Sequence, residues 1–299
     1  MLRGITISIL LFLNLLLWGT PVLLGGVVKL LTFGEPRRRV NRGLPWLGLQ
    51  WVRWNDRIFD ALLTTEWDVA GFEGLRPDGH YLVISNHVSW IDIFALFRAL
   101  KDKAPLLRFF LKRQLIWFPI VGQASWALSF PFMRRYTPDY LAQHPEKRGR
   151  DLETTRIACR LYRHIPVTIL NFCEGTRFSR EKQEDQESPY RHLLRPRAGG
   201  IGFVLASLGE QLDAMIDVTL VYPGNDVTMW DFVTNRVPSV IVRARPLDVD
   251  PQHCTPAVIE PGPARERFKA WIEQVWREKD ALIETVLVPV PSPRSRGEG

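Results

Sequence analysis

A histidine and an aspartate lie five positions apart in the segment YLVISNHVSWIDIF, residues 81–94. His87 follows an apolar run that predicts a buried strand, and many α/β enzymes place reactive groups at the carboxyl ends of strands. Within one helix the two side chains would point about 140° apart, so they can meet only if a helix begins between them. Ser89 is a candidate N-cap, which leaves His87 in the loop and Asp92 in the first turn. The pair could then be a general base with its orienting carboxylate; a structural turn histidine is the alternative.

A second polar loop follows another apolar run, in NFCEGTRFSR, residues 171–180. Its glycine allows a ligand to approach the backbone, and its hydroxyl and guanidinium suit a phosphate group. In the alternative interpretation, the arginine of this loop pairs only with the glutamate three positions before it. The candidate substrate-binding residues here are Glu174, Gly175, Thr176 and Arg177.

A third candidate is an apolar stretch, residues 115–133, with basic residues at both ends, among them Lys112 and Arg135. Such a groove could hold an acyl chain with phosphate-binding cations at its mouth, although basic side chains are more often solvated surface charges. The stretch has no charged residue, but its prolines, glycine and polar residues argue against a transmembrane helix. We expect a buried or membrane-facing part of the body.

The three cysteines, Cys159, Cys173 and Cys254, are scattered and lack metal-ligand spacing, which predicts a reducing compartment and no metal site. Cys173 and Ser89 could be nucleophiles, but packing and capping are the simpler roles, so we expect no covalent enzyme intermediate. A net charge of +7 favours anionic partners, and eleven tryptophans favour a membrane surface among them.

Residues 5–33 contain one charged side chain, Lys29, and therefore predict a membrane segment. Three arginines at 37–39 follow and favour a cytoplasmic location for the downstream chain. Gly19-Thr20-Pro21 predicts a break, so a kinked span and a two-helix hairpin in one leaflet are both open. A cleaved signal peptide is less favoured because no clean cleavage site follows.

The remaining chain alternates strand-like and helix-like patterns, which predicts an α/β fold. We expect an N-terminal membrane anchor at 1–40, a catalytic domain at 41–286 and a disordered tail at 287–299. An amphipathic helix is predicted around residues 47–62, packed on the body or on a bilayer. The predicted strands are 80–85, 165–172, 214–222 and 239–247, and the predicted helices are 151–163, 199–208 and 264–286.

Taken in order over about residues 75–225, four segments resemble the sequence blocks of the glycerolipid acyltransferase superfamily. They are NHVSWID, FLKRQLIWFPIVGQ with FPFMRR, NFCEGTR and VTLVYPG. The resemblance is stronger to a subgroup of bacterial inner-membrane members and their eukaryotic lysophospholipid acyltransferase relatives. Members of that subgroup share the sequence CEGTRF and a downstream pattern like LLRPRAG, Leu193 to Gly199. Cys173, which replaces a proline of the general block, is therefore an ordinary residue in that subgroup.

The resemblance implies a mixed sheet flanked by helices, of the glycerolipid acyltransferase type, with an N-terminal membrane-embedded helical segment. It implies a 1-acylglycerol-3-phosphate O-acyltransferase that moves an acyl group from acyl-CoA or acyl-carrier protein to the sn-2 hydroxyl of lysophosphatidic acid. His87 would be the base and Asp92 its orienter. Phosphate contacts would come from Arg177 with Glu174, Gly175 and Thr176, and added positive charge from Lys112 and Arg135, although Arg134 competes for that last role.

The expected partners are therefore a lysophospholipid, an acyl donor and the bilayer, with acyl-carrier protein open as donor and no nucleic acid expected. Neither a cofactor nor a metal is implied. The resemblance places the chain at the inner (plasma) membrane with its catalytic domain on the cytoplasmic face. One alternative is remodelling of lysolipids that bear head groups. A more distant one is a non-catalytic binder of anionic lipid or nucleic acid, which the intact motifs disfavour.

Overall fold

The apolar runs of the sequence form strands, and the periodic segments between them form helices. The structure, a computed structural model, describes residues 1–133, 143, 159–163, 165–224 and 227–287. Its strands are β1 (Glu66–Ala70), β2 (His80–Ser85), β3 (Leu107–Phe109), β4 (Leu111–Lys112), β5 (Phe132–Met133), β6 (Val167–Phe172), β7 (Ala214–Val221) and β8 (Ser239–Leu247). Its helices are α1 (Leu2–Leu31), α2 (Gly34–Leu62), α3 (Ile91–Leu100), α4 (Val121–Ala127), α5 (Arg180–Asp185), α6 (Gly199–Leu208), α7 (Met229–Val233) and α8 (Pro263–Leu287). Short 3-10 turns cover Arg113–Trp117, Gly209–Gln211, Pro251–Cys254 and Pro256–Val258.

Six strands form one mixed sheet in the order β1-β8-β7-β2-β6-β3, and β4 pairs with β5 separately. Alternate residues of β2 enter two different cores: Tyr81 and Val83 face one, and Leu82 and Ile84 face the other. Residues of α2, α3 and α7 pack into the first core, and residues of α6 and α8 into the second. Because both sheet faces are covered, the central strands are apolar throughout. The expected mixed sheet flanked by helices is confirmed.

Three neighbouring strands, β7, β2 and β6, run parallel to one another. In the register of these strands Ser85 lies opposite Phe172 on one side and opposite Val218 on the other. The carboxyl ends of parallel strands share one edge of a sheet, where α/β enzymes place their ligands. The loops that follow these three strands therefore converge.

The element boundaries differ little from those predicted. The helix predicted at 199–208 is α6, and the four predicted strands agree with β2, β6, β7 and β8 to within two residues at each end. Strands β1, β3, β4 and β5 were not predicted. Two of the five residues of β1 are charged, and the other three strands have only two or three residues each. Most of the helix predicted at 151–163 and nearly all of the tail predicted at 287–299 lie outside the described residues, as do Arg134 and Arg135.

The N-terminal helix is continuous, so the break predicted at Gly19-Thr20-Pro21 does not occur. Pro21 removes one backbone hydrogen bond from the helix, and the packing of α1 against the rest of the protein offsets that loss. Asn14 Nδ2 donates to Asn55 Oδ1 over 2.8 Å, and Gly26 lies so close to α4 that a Cβ there would be 2.9 Å from that of Ala127. The opposite side of α1 exposes apolar side chains. By length and composition, α1 could cross a membrane.

Helix α2 returns along α1 and packs on the body, as the amphipathic pattern allowed. Val52 and Phe59 are buried in the first core, and Trp51 contacts the rings of Phe94 and Phe97. The boundary predicted near residue 40 falls inside α2. The helical hairpin is thus formed by α1 and α2 rather than by two halves of 5–33.

The uncharged stretch 115–133 is not one helix. It contains the end of a 3-10 turn, the seven residues of α4 and both residues of β5. Trp117 and Phe118 are exposed at 82% and 59%. The stretch is thus part of the body, with exposed apolar side chains near its beginning, which agrees with the interpretation favoured from sequence.

A buried ion pair fastens α8 to the sheet. Lys279 Nζ lies 2.6 Å from Asp217 Oδ1 on β7 and donates to the carbonyl of Val218. Arg245 Nε also donates to Asp217 over 3.0 Å. Removing one member would leave a buried charge without its partner, at a cost of about 3–5 kcal/mol. The pair therefore fixes the position of α8 on the second face.

Candidate active site

The loop after β2 brings His87 and Asp92 together. The side chain of Asn86 extends the hydrogen bonding between β2 and β7 by one residue. Its Nδ2 donates to the Leu220 carbonyl and its Oδ1 accepts from the Leu220 amide, each over 2.9 Å. Helix α3 then begins at Ile91, which places Asp92 in its first turn as predicted. His87 Nδ1 lies 2.8 Å from Asp92 Oδ2.

The predicted cap of α3 by Ser89 is wrong. The residue preceding the helix is Trp90, and the Ser89 hydroxyl reaches only 3.5 Å from the amide of Ile91. Asp92 Oδ2 instead accepts from the amides of Val88 and Ser89, over 2.6 and 3.0 Å. A carboxylate is the stronger acceptor for such amides, so it supports the turn in place of the hydroxyl.

Tyr222 completes the surroundings of Asp92. Its hydroxyl donates to Asp92 Oδ1 over 2.6 Å. Burial and the nearby Asp92 carboxylate raise the pKa of Tyr222 well above its usual value, so the phenol stays a neutral donor. Since both Asp92 oxygens act as acceptors, Nδ1 of His87 carries its proton and Nε2 is left basic. Tyr222 was not among the site residues predicted from sequence. It could have been found from its position directly after β7, the strand that pairs with β2.

Replacing Tyr222 by phenylalanine is expected to lower kcat about tenfold and to leave the KM for the acceptor unchanged, because one hydrogen bond that orients the carboxylate is lost. Steady-state kinetics with purified protein measure both constants. Tyr190→Phe is the matched control, since the Tyr190 hydroxyl contacts the Glu273 carbonyl elsewhere. An unchanged kcat for Tyr222→Phe would remove its positioning role.

The His87 ring is held on one side by Phe172, the last residue of β6. The two ring centroids are 4.0 Å apart at an interplanar angle of 15°. The backbone of His87 is also fixed, because its carbonyl accepts from the amide of Phe178 over 2.7 Å. With 16% of its side chain exposed, His87 keeps an edge that a ligand can reach. The ring is thus fixed in orientation and accessible.

Glu174 is buried and faces backbone amides instead of a ligand site. Its Oε2 accepts from the amide of His87 over 2.7 Å, and its Oε1 accepts from that of Leu194 over 2.8 Å. Burial raises the pKa of the Glu174 carboxyl to about 7. The prediction that Glu174 contacts substrate is therefore corrected: its oxygens are occupied, and it positions His87.

Glu174→Gln is expected to destabilise the fold by about 1–3 kcal/mol, because the amide NH₂ would face one of the two backbone N–H donors. The raised pKa adds a pH dependence: this group stabilises the fold below pH 4.5, its ordinary pKa, and that contribution is lost as pH rises through about 7. The thermal midpoint of the wild type should therefore fall more steeply over this range than that of the variant. Equal slopes would contradict the account, and Glu181→Gln, at an exposed site, is the control.

The rest of this loop surrounds the His87 peptide. Gly175 has a positive φ of 71°, which favours glycine. The Arg177 guanidinium lies 5.1 Å from the ring of Trp90 and is exposed, and among the described residues no ion pair joins it to Glu174. Lys182 Nζ, which sequence reasoning missed, donates to Thr176 Oγ1 over 3.0 Å and to the Arg177 carbonyl over 2.9 Å. Arg177 is thus held beside His87 with its charge facing solvent.

The other sequence candidates contribute less to this arrangement. Lys112 is exposed on β4, and no hydrogen bond or ion pair described for it reaches the His87 loop. Arg135 lies outside the described residues. Burial raises the pKa of the Cys173 thiol well above its usual value, so it is a poor nucleophile. Within the part of the chain that the structure describes, no three His, Cys, Asp or Glu side chains cluster as metal ligands would.

Comparison with known proteins identifies a family and several relatives of this chain. The model of the acyltransferase family matches residues 66–222, more than half of the chain. The chain is 26% identical over 305 residues to lysocardiolipin acyltransferase 1 of Danio rerio, covering 97% of this chain and 72% of that protein. It is 23% identical over 248 residues to 1-acyl-sn-glycerol-3-phosphate acyltransferase epsilon of Mus musculus, covering 73% of this chain and 61% of the relative.

A solved structure has the same fold. The crystal structure of the 1-acyl-sn-glycerophosphate acyltransferase from Thermotoga maritima matches with a TM-score of 0.59 and covers 97% of both chains. At 16% identity this likeness concerns the fold alone. The fold is therefore a known one over nearly all of the chain.

Proposed function

The chain belongs to the acyltransferase family, and we propose that it moves a fatty acyl group from acyl-CoA or acyl-carrier protein to the sn-2 hydroxyl of lysophosphatidic acid, giving phosphatidic acid. The observation that carries the proposal is the His87–Asp92 contact of 2.8 Å at the carboxyl edge of the parallel strands. Relatives that are named lysocardiolipin acyltransferase 1 and 1-acyl-sn-glycerol-3-phosphate acyltransferase epsilon support the choice of a lysolipid acceptor.

In the proposed reaction, Nε2 of His87 takes the proton of the acceptor hydroxyl as its oxygen attacks the thioester carbonyl. A carbon–oxygen ester bond forms and the carbon–sulfur bond breaks. The imidazolium then returns the proton to the departing thiolate. Asp92 stabilises the transient positive charge, and Tyr222 and the amides of Val88 and Ser89 keep its carboxylate in place. Transfer is direct, without an acyl-enzyme.

Arg177 is the side chain that we propose for the acceptor's phosphate. Its guanidinium is exposed next to Trp90, and the amide of the following residue, Phe178, donates to the His87 carbonyl. A phosphate bound there would hold the glycerol hydroxyl near the imidazole. Gly175 and Thr176 belong to the same loop, and we keep Lys112 and Arg135 as candidates for additional positive charge.

We also propose where this chemistry takes place. The exposed apolar side of α1, together with Trp117 and Phe118, fits insertion into a bilayer. Three arginines after α1 and three free cysteines favour the inner membrane with the catalytic domain on its cytoplasmic face. The partners are the lysolipid, the acyl donor and the membrane, with no nucleic acid. The reaction requires no resident cofactor or metal.

A panel of acceptors tests the proposal. Purified full-length protein in phospholipid vesicles is given oleoyl-CoA or oleoyl-carrier protein with lysophosphatidic acid, lysophosphatidylglycerol, lysophosphatidylethanolamine or lysocardiolipin. We expect lysophosphatidic acid to give at least tenfold higher kcat/KM than the others. Preference for a head-group-bearing lysolipid would favour the alternative, a remodelling enzyme, which the similarity to lysocardiolipin acyltransferase 1 supports.

A further inference from the structure

A cavity of about 330 Å³ lies between the start of α6 and the first half of α8, on the second face of the sheet. Its walls include the apolar side chains of Phe203, Val258, Phe268 and Ile272. Three of these are buried in the second core, so the wall is a fixed part of the fold. Volumes of about 300–1,000 Å³ are typical of sites for small ligands.

Basic side chains predominate around this cavity. Its described lining includes three basic residues, Arg197, Arg265 and Lys269, and one acidic residue, Glu273. Lys269 is neutralised by Glu266, 2.8 Å away. Neither Arg197 nor Arg265 has an ion pair or a side-chain hydrogen bond within the part of the chain that the structure describes. Two guanidinium groups beside an apolar wall are complementary to a ligand that combines phosphate with a flat, weakly polar ring.

The surroundings of the cavity favour a water-borne ligand. Large exposed apolar side chains occur along α1 and in the segment 115–121, and also at Phe33, Trp46, Trp54, Trp90, Trp230 and Leu287. Helix α6 and the first part of α8 have none among their described residues. The α2 helix of the anchoring hairpin packs into the first core, on the other side of the sheet. A lipid tail would therefore have no exposed apolar surface to follow into this cavity. A soluble charged molecule can enter it from water.

Arg197 connects the cavity to the catalytic loop. A Cβ placed on Gly175 would lie 3.2 Å from Cδ and 3.3 Å from Nε of Arg197, so this side chain lies across the loop. The Arg197 amide also donates to the carbonyl of Cys173 over 2.7 Å. The residue next to Cys173 is Glu174, which holds the His87 amide. A molecule in the cavity would therefore border the site of acyl transfer.

We infer that this cavity binds the nucleotide end of an acyl-CoA donor, with its adenine against the apolar wall and its phosphates on Arg197 and Arg265. The acyl thioester then extends past Gly175 towards His87. The inference rests on the proposed function and makes its donor specific: the carrier recognised is CoA. The donor then enters from the aqueous side, while the lysolipid reaches His87 from the membrane.

The probe is adenosine 3′,5′-bisphosphate, titrated calorimetrically into detergent-solubilised full-length protein without any turnover. We expect saturable binding to the wild type and at least tenfold weaker binding to Arg265→Ser, since a charge-assisted contact is lost. Arg267→Ser, an exposed neighbour that does not line the cavity, should bind as the wild type does. Inorganic phosphate at the same concentration should bind at least tenfold more weakly than the nucleotide. In kinetics, Arg265→Ser should raise the KM for oleoyl-CoA about tenfold and leave kcat and the KM for the lysolipid unchanged.

Any one of three binding results would overturn the inference. They are the absence of nucleotide binding to the wild type, equal binding by Arg265→Ser, and inorganic phosphate binding as tightly as the nucleotide. Turnover with acyl-carrier protein alone, without nucleotide binding, would also overturn it and would identify a protein donor. Because binding is measured without turnover, loss of the donor site with intact transfer is distinguishable from failure of the proposed function, in which no lysolipid accepts an acyl group.

Discussion

His87→Ala is expected to lower the rate of phospholipid formation on the order of 10³-fold, the size of effect that removal of a general base produces. The loop should stay folded, because Asp92 keeps its hydrogen bonds to Val88, Ser89 and Tyr222. The loss should therefore appear in kcat, with little change in the KM for either substrate. Mass-spectrometric quantification of labelled phosphatidic acid over time measures it.

The chain offers a matched control for this variant. His192 Nε2 lies 2.6 Å from Glu284, so His192→Ala also removes a histidine that contacts a carboxylate. That pair joins the segment before α6 to α8 and is separate from the His87–Asp92 contact. We expect its activity within about twofold of the wild type, since partly exposed pairs contribute little. Comparable losses in both variants would mean that His87 acts through stability rather than chemistry.

Asp92→Asn is expected to lower kcat by about 10²–10³-fold with the fold retained. The asparagine oxygen can still accept from His87 Nδ1 and the two amides, and its NH₂ can donate to the Tyr222 hydroxyl, which reverses its role. The geometry thus survives while the negative charge is lost. Without that charge, the imidazolium formed after proton capture is no longer stabilised.

Steady-state kinetics of Asp92→Asn and a thermal unfolding curve separate these two effects. Asp60→Asn removes a carboxylate that pairs with Arg98 at the surface and is the control for charge alone. A thermal midpoint near that of the wild type together with a lowered kcat would support the electrostatic role of Asp92. Wild-type kcat in Asp92→Asn would refute it.

The convergence of the site could be predicted from sequence, because apolar runs reveal strands and the residues that follow them meet at one sheet edge. The placement of Asp92 in a first helical turn also followed from local pattern. The bond from Tyr222 to Asp92 could not be predicted, since it spans 130 positions and depends on which strands are neighbours. No local pattern encodes the strand order β7-β2-β6.

Two further features could not be predicted from the local sequence, for a different reason. They are the orientation of the Glu174 side chain and the continuity of α1. A glutamate beside glycine and arginine looks like a ligand group, and only the tertiary structure shows that its carboxylate faces the amides of His87 and Leu194. A proline usually breaks a helix, but α1 packs against α2 and α4 and continues through Pro21. In both cases tertiary contacts override a local preference.

Release of CoA thiol from oleoyl-CoA, measured with and without lysophosphatidic acid for wild type and His87→Ala side by side, tests the central claim most directly. The account predicts release by the wild type that depends on the acceptor and matches the phosphatidic acid formed, with release near background in the variant. Equal acceptor-dependent release by His87→Ala would contradict the assignment of His87 as the base.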